Sequence, residues 1–186
     1  MLKAFYPKEM MNSAYEIPYE ALYEKGIRGV IFDIDNTLVP HGAPVDERAL
    51  ELFGRFHQMG MKTCLLSNNK EPRVASFAAQ VDSPYIYKGG KPKKSGYEAA
   101  MKKMGTDRAT TVFVGDQLFT DVYGANRIGL YSFLVKPIHP KEEIQIVLKR
   151  KLEKIVLKEY RAKKREEYKK KKWEKKKQKK YFTASR

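Results

Sequence analysis

Cysteine is almost missing from this chain of 186 residues: Cys64, inside MKTCLLS, is its one thiol. A lone thiol excludes an intrachain disulfide framework, and the apolar flanks of Cys64 mark it as a small buried hydrophobe rather than a nucleophile. That usage fits a reducing cytoplasm. The three histidines, His41, His57 and His139, have no spacing that argues for zinc and read as surface or packing residues. Long apolar runs are absent too: none approaches the ~20 residues that a membrane-spanning helix needs. The opening MLKAFYPKEMMNSAYEI has no unbroken apolar stretch of the kind a secretory signal carries, so a soluble or peripheral protein is expected.

The chain is 42% hydrophobic and 12% aromatic, enough to bury one sizeable core and too little for two. Its net charge of +16 suggests a polyanion partner until it is located. Between Lys149 and Lys180 about 18 basic residues face 5 acidic ones, so about +13 of the excess lies there and the rest is close to neutral. Charge describes an extension, residues 149–186, helical or disordered. Leu148, Leu152, Ile155 and Ile146 keep a short apolar stripe there before charge takes over after Tyr160; its first turns are expected to pack on the domain, the rest to project into solvent.

Residues 1–25 read as a polar, aromatic-rich segment with short helices, including one over Pro18–Lys25 stopped by Gly26. From 26 to 148, apolar runs alternate with helix-period stretches. GVIFD precedes a helix over Asp46–Met59, KTCLLS one over Glu71–Gln80, and a weaker PYIY one over Lys93–Met104. TTVFVGD then precedes a helix over Phe119–Arg127, and LYSFLV closes the series. Five strand-and-helix cycles predict an α/β fold: a three-layer, Rossmann-like open sheet of about five mainly parallel strands, with ligand chemistry at their carboxyl ends. Asp33, Ser67 and Asp116 each end a strand-like run, so three strands deliver polar groups to one edge.

In VIFDIDNTLV the spacing of two puts Asp33 and Asp35 on one side of an extended chain. Like charges so placed imply a cation between them or a shared proton, and both suit phosphate-ester chemistry. A carboxylate of ordinary pKa, near ~4, is ionised at neutral pH but is repelled by a phosphate dianion unless a metal screens the pair. Asp33 would attack phosphorus and form an aspartyl phosphate; Asp35 would protonate the leaving oxygen and then deprotonate the attacking water. A hard cation such as Mg²⁺ needs another acidic group, which VFVGDQLFTDV supplies as Asp116 at a strand end and Asp121 five residues on. The phosphoryl charge needs donors: LLSNN offers Ser67 and its neighbour Asn68, and KGGKPKK offers Lys91, with Lys88, Lys93 and Lys94 as rivals. Asn36, Thr37, Asn68 and Gly115 are expected to shape the loops and donate hydrogen bonds.

DIDNT, Ser67, the Lys91-Pro92 pair and GDQLFTD together resemble, in order, the four motifs of the haloacid dehalogenase (HAD) superfamily of phosphatases, over about Gly26 to Pro137. The resemblance implies Asp33 as nucleophile and metal ligand, and Asp35 as acid/base whose backbone carbonyl meets Mg²⁺. It further implies Ser67 and Lys91 as phosphoryl holders, Asp116 as metal ligand and Asp121 as its support. A narrower likeness, over YEIPYEALYEKGIRGVIFDIDNTLV and GDQLFTDVYGANRIGLYSFLVKPI, is to the YqeG-like branch of subfamily IIIA, related to phosphatidylglycerophosphate phosphatases.

Many relatives insert a cap domain over the site. Here Thr37 and Ser67 are about 30 residues apart, and Ser67 and Lys91 about 24, lengths that one helix and its connections consume. The core is therefore expected to be capless and to take phosphate presented by a large molecule: protein, nucleic acid or lipid. The narrower likeness implies a membrane lipid phosphate, phosphatidylglycerophosphate foremost; soluble nucleotides or sugar phosphates are the alternative. Phe5, Tyr6, Met10, Met11 and Tyr15 either meet a membrane interface or pack on the sheet. The basic tail, with Tyr160, Tyr168, Trp173, Tyr181 and Phe182, has three readings: RNA contact, with the phosphatase site secondary, an anionic membrane contact, or a solvated helix.

Overall fold

The computed structural model describes residues 2–139 and 144–184, with side chains described for 2–139 and 150–174. Six strands form one sheet: β1 (Glu9–Met11), β2 (Gly29–Phe32), β3 (Lys62–Leu66), β4 (Tyr85–Ile86), β5 (Thr111–Gly115) and β6 (Tyr131–Val135). Their order is β1-β6-β5-β2-β3-β4, and every pairing is parallel. β2, β5 and most of β3 are buried along their length, as their unbroken apolar runs require of strands covered on both faces. The chain steps from β2 to β3 and β4 on one side, then returns to β5 and β6 on the other. The switch point beside β2 opens a crevice at the carboxyl edge.

Five helices supply the layers: α1 (Tyr19–Glu24), α2 (Glu47–Met59), α3 (Glu71–Gln80), α4 (Lys94–Met104) and α5 (Tyr123–Arg127). α2 begins where the Asp46 carboxylate accepts the Ala49 amide at 2.9 Å and ends at Gly60, whose φ of 71° suits a residue without a Cβ. Its apolar face drives Phe53 and Phe56 against Phe32 of β2, and Tyr19 meets Phe56 edge-on at 4.7 Å. On the other face Tyr97, Ala100 and Met101 of α4 cover Ile31, Cys64 and Phe113.

The structure adds a sixth strand to the expected five. β1, in the segment expected to hold only short helices, is three residues with no alternation of their own; pairing with the edge of β6 makes them a strand. Phe5, Tyr6 and Met10 pack against Leu118, Val122, Leu134 and Val156, and Met11 and Tyr15 against the main core, so these side chains lie on the sheet. The segment expected as one helix over Phe119–Arg127 is a π-helical turn, Leu118–Val122, leading into α5. No cap domain interrupts the chain between β2 and β3 or between β3 and α4.

α6 (Ile144–Ala184) is one helix of 41 residues, roughly 60 Å long. Where its side chains are described, from Arg150 on, it docks on the sheet edge, but not through Leu152 and Ile155. Leu152 and Ile155 are 57% and 63% exposed, while Glu153, Val156 and Tyr160 are buried. Spaced i, i+3, i+7, those three share a face, and Tyr6 meets them, its ring 5.4 Å from Tyr160 and its hydroxyl on Glu159 at 2.5 Å. Further on, Tyr168 and Trp173 are exposed. The side chains of Ile146, Leu148, Tyr181 and Phe182 lie outside the described residues.

Candidate active site

The parallel register sets the crevice. Phe32 lies level with Val114 and Leu65, so the residues after these strands emerge side by side. Asp33 follows β2, its amide on the Val114 carbonyl at 3.0 Å; Ser67 follows β3 and Asp116 follows β5. The turn after Asp33 needs a left-handed residue, and Asn36 takes it with φ 62°, a region asparagine tolerates better than most. Its carbonyl accepts the Ile138 amide at 3.1 Å and its side-chain oxygen the His139 amide at 3.2 Å.

Carboxylate oxygens of Asp33, Asp116 and Asp121 lie within 4.8 Å of one another, all three residues buried. The π-helical turn carries Asp121 back onto the strand end, where its Oδ2 accepts the Gln117 amide at 3.0 Å. Gly115 permits this: a Cβ there would sit 2.5 Å from Asp121 Oδ2. Thr37 donates to Asp116 at 3.3 Å. The Lys91 ammonium bridges Asp33 and Asp121, 2.7 Å from an oxygen of each. Lys88, Lys93 and Lys94 are exposed, whereas Lys91 is buried.

Asn68 places Lys91. Its side-chain oxygen accepts the Lys91 amide at 2.8 Å and its side-chain nitrogen donates to the Lys91 carbonyl at 3.1 Å, so the amide expected to hold phosphate is spent on the backbone of its neighbour. Ser67 Oγ accepts the Asn69 amide at 3.1 Å. A cavity of about 190 Å³ opens among Asp33, Asp35, Ser67, Asn68 and Lys91.

Asp35 shares that cavity, but its carboxylate turns away from the triad. It accepts from Gly42 N at 2.8 Å, Asn69 at 2.9 Å and Arg73 at 3.0 Å. Burial alone would raise its pKa, but these donors outweigh burial and hold it below the usual carboxylate range. The three carboxylates the geometry gathers are thus Asp33, Asp116 and Asp121, where Asp33, Asp35 and Asp116 were expected.

Two further residues come from α6. The Arg150 guanidinium pairs with the Asp116 carboxylate and donates to its backbone carbonyl at 2.5 Å. Glu153 holds Arg150 at 2.9 Å and accepts the Leu118 amide at 2.6 Å. Both sat inside the basic tail of the sequence. The legible signal was an acid among lysines, on the stripe it shares with Val156 and Tyr160. Arg73, in the first turn of α3, gave none.

The cluster is short of positive charge. Asp33, Asp116, Asp121 and Glu153 face Lys91 and Arg150, a formal charge of −2 when all are ionised. Burial pushes the Asp33 carboxyl up to about 7 against the pull of Lys91, and burial with the Asp121 and Asp33 charges pushes Asp116 well up. Burial would lower the Lys91 pKa, but Asp121 and Asp33 outweigh it and raise it, so Lys91 is a fixed cation. An all-oxygen set with this deficit fits a hard divalent ion.

A parallel α/β sheet with this acidic switch-point crevice can hold a divalent ion where such folds bind their ligands. The family described as haloacid dehalogenase-like hydrolase matches residues 41–129. The chain is 35% identical over 165 residues to "Probable phosphatase YqeG" of Bacillus subtilis (strain 168), covering 88% of this chain and 96% of that protein. It is 29% identical over 158 residues to "Phosphatidylglycerophosphate phosphatase 1, chloroplastic/mitochondrial" of Arabidopsis thaliana, spanning 79% of this chain and 45% of that one. A solved structure, putative 3-deoxy-D-manno-octulosonate 8-phosphate phosphatase from Vibrio cholerae, superposes with a TM-score of 0.51 at 16% identity, over 64% of this chain and 73% of that one. The chain belongs to the haloacid dehalogenase-like hydrolases and is a phosphatase of that family, whose members use divalent metal ions.

Proposed function

We propose that the protein hydrolyses phosphomonoesters through an aspartyl phosphate on Asp33, with Mg²⁺ as its metal and phosphatidylglycerophosphate as its substrate. The observation that carries this reading is the convergence of Asp33, Asp116 and Asp121 within 4.8 Å, with Lys91 bridging two of them. The named activity of the Arabidopsis relative and the capless crevice support this choice of substrate.

An Asp33 oxygen attacks phosphorus as the ester P–O bond breaks, and Asp35 gives its proton to the departing alkoxide. Asp35 then takes a proton from water; the hydroxide attacks phosphorus, the Asp33–phosphorus bond breaks, and phosphate leaves. Its three hydrogen-bond donors keep Asp35 ionised, the state the second step uses, and the first step requires it to take up a proton as substrate enters. Lys91 lowers the cost of bringing a phosphate against Asp33. Mg²⁺, held by Asp33, Asp116 and the Asp35 carbonyl with Asp121 in support, would screen the remaining negative charge. Ser67 holds the phosphoryl oxygens.

The working unit extends beyond residues 26–148 on both sides, since β1 and Arg150 and Glu153 of α6 touch the same edge. The lipid is met from a cytoplasmic, peripheral position, with the exposed basic face of α6 toward anionic headgroups; no helix among the described residues is long and apolar enough to cross a membrane. The decisive experiment is phosphate release from phosphatidylglycerophosphate, nucleotides, sugar phosphates and phosphopeptides, with Mg²⁺ or chelator, beside Asp33→Asn. Release from the lipid that needs Mg²⁺ and disappears in Asp33→Asn is expected; equal turnover by both proteins would remove Asp33 as nucleophile. Salt-sensitive RNA binding lost on deleting residues 160–186 would instead assign the tail to RNA.

A further inference from the structure

A second cavity, of about 310 Å³, is distinct from the one that holds Asp35 and Ser67. Asp116 lines it, and so does His139, whose amide is bonded to Asn36 in the wall of the first. The two cavities are therefore neighbours, linked through the Asn36–His139 contact and the consecutive residues Asp116 and Gln117. Met10, Leu134, Val135 and Leu157 give the second cavity an apolar floor, and Lys136, Arg150, Lys154 and Arg161 ring it. On α6, Arg150, Lys154, Leu157 and Arg161 fall at i, i+4, i+7 and i+11, a single stripe on the helix turned toward the carboxyl end of β6.

Most of the positive charge around this cavity is unspent. Arg150 is committed to Asp116 and Glu153, the two acids in the wall, but Lys136, Lys154 and Arg161 form no ion pair among the described residues. The larger cavity of about 590 Å³ beneath Tyr6 and Tyr160 is also lysine-lined, yet it borders Lys8 and Leu130 at the amino ends of β1 and β6 and faces away from Asp33.

We propose that the cavity beside Asp116 is a substrate subsite for a phosphodiester and the apolar group attached to it. The proposal rests on the phosphatase reading above and extends it: the molecule whose monoester meets Asp33 carries a second, singly charged phosphate. A diester suits this place. It remains an anion at neutral pH, needs cations but no nucleophile, and has two organic arms, one leading toward Asp33 and one lying on Met10, Leu134 and Leu157. Surplus cations above an apolar floor complement that combination of charge and chain.

The test uses the full chain and three monoesters: dihexanoyl phosphatidylglycerophosphate, which has the diester; dihexanoyl phosphatidic acid, which has the chains alone; and glycerol 3-phosphate, which has neither. The expected result is a kcat/KM preference of about tenfold or more for the first over the second, falling by about tenfold in Lys154→Ala/Arg161→Ala through KM. Lys154→Arg/Arg161→Lys restores it, with thermal midpoints matching wild type. Calorimetric binding of dihexanoyl phosphatidylglycerol, a diester without a monoester, should weaken by a similar factor in the alanine variant. Turnover with no preference, or a preference and a diester affinity both indifferent to the double substitution, overturns the subsite. Diester binding that follows the substitutions without turnover of any monoester upholds the subsite and removes the phosphatase reading instead.

Discussion

Lys91 is the most informative residue to remove. Its side chain is 4% exposed and it stands 2.7 Å from both Asp33 and Asp121. Lys91→Met keeps the aliphatic stem and deletes the charge, leaving buried carboxylates with one cation fewer. Breaking a buried pair from one side costs about 3–5 kcal/mol. At about 2–4 °C per kcal/mol for a chain of this size, the midpoint should fall by roughly 6–20 °C in metal-free buffer. A divalent ion replaces part of the missing charge, so saturating Mg²⁺ should raise the midpoint of Lys91→Met more than that of wild type; at 100 times Kd any such ligand contributes about 2.7 kcal/mol. Lys94→Met, at an exposed lysine three residues on, is the control and should stay within about 0.5 kcal/mol. Calorimetry or circular dichroism melts with and without Mg²⁺ make the comparison. A metal-free midpoint for Lys91→Met equal to that of Lys94→Met would refute the idea that Lys91 offsets an uncompensated acidic cluster.

Gly115→Ala drives a methyl into Asp121, so Asp121 and with it Lys91 must shift; a loss of about 100-fold in kcat is expected, on the scale of one misplaced catalytic contact, with initial rates as the check and an unaltered rate as the contrary result. Cys64 is buried and its thiol is pushed up to about 12, chiefly by burial; below that pH it is protonated. Ellman's reagent at pH 8 should therefore leave the native protein unlabelled and label it stoichiometrically in guanidinium, and rapid native labelling would contradict this placement. Phe56→Ala empties the space among Tyr19, Phe32 and Phe53 and should cost about 3–5 kcal/mol in urea unfolding, with little effect on KM for small monoesters.

The fold was legible where local pattern and burial agree. GVIF, KTCLL and TVFVG are strands because an unbroken apolar run suits a strand covered on both faces, and helices α2, α3 and α4 follow the 3.6 period to within a residue of their expected bounds. β1 was not legible, because Glu9–Met11 has no pattern of its own and is a strand only beside β6. The stripe on α6 was misjudged for a related reason. Leu152 and Ile155 are the apolar residues that meet the eye, but the contacts with Tyr6 and Leu118 turn Glu153, Val156 and Tyr160 inward.

The sequence alone determined which chemistry-bearing residues end which strands, since in a parallel sheet every βα junction opens on the same edge whatever the packing details. Asp33, Ser67 and Asp116 could be placed together from that rule. Tertiary structure decided the rest: that Asp121 returns to the triad over Gly115, that Lys91 and not its three neighbours is the buried cation, that Asp35 turns to Arg73, and that a helix from the basic tail brings Arg150 to Asp116. Each depends on how far one element rotates or approaches another, and that is set by the sum of packing contacts across the core, which no local stretch of sequence encodes.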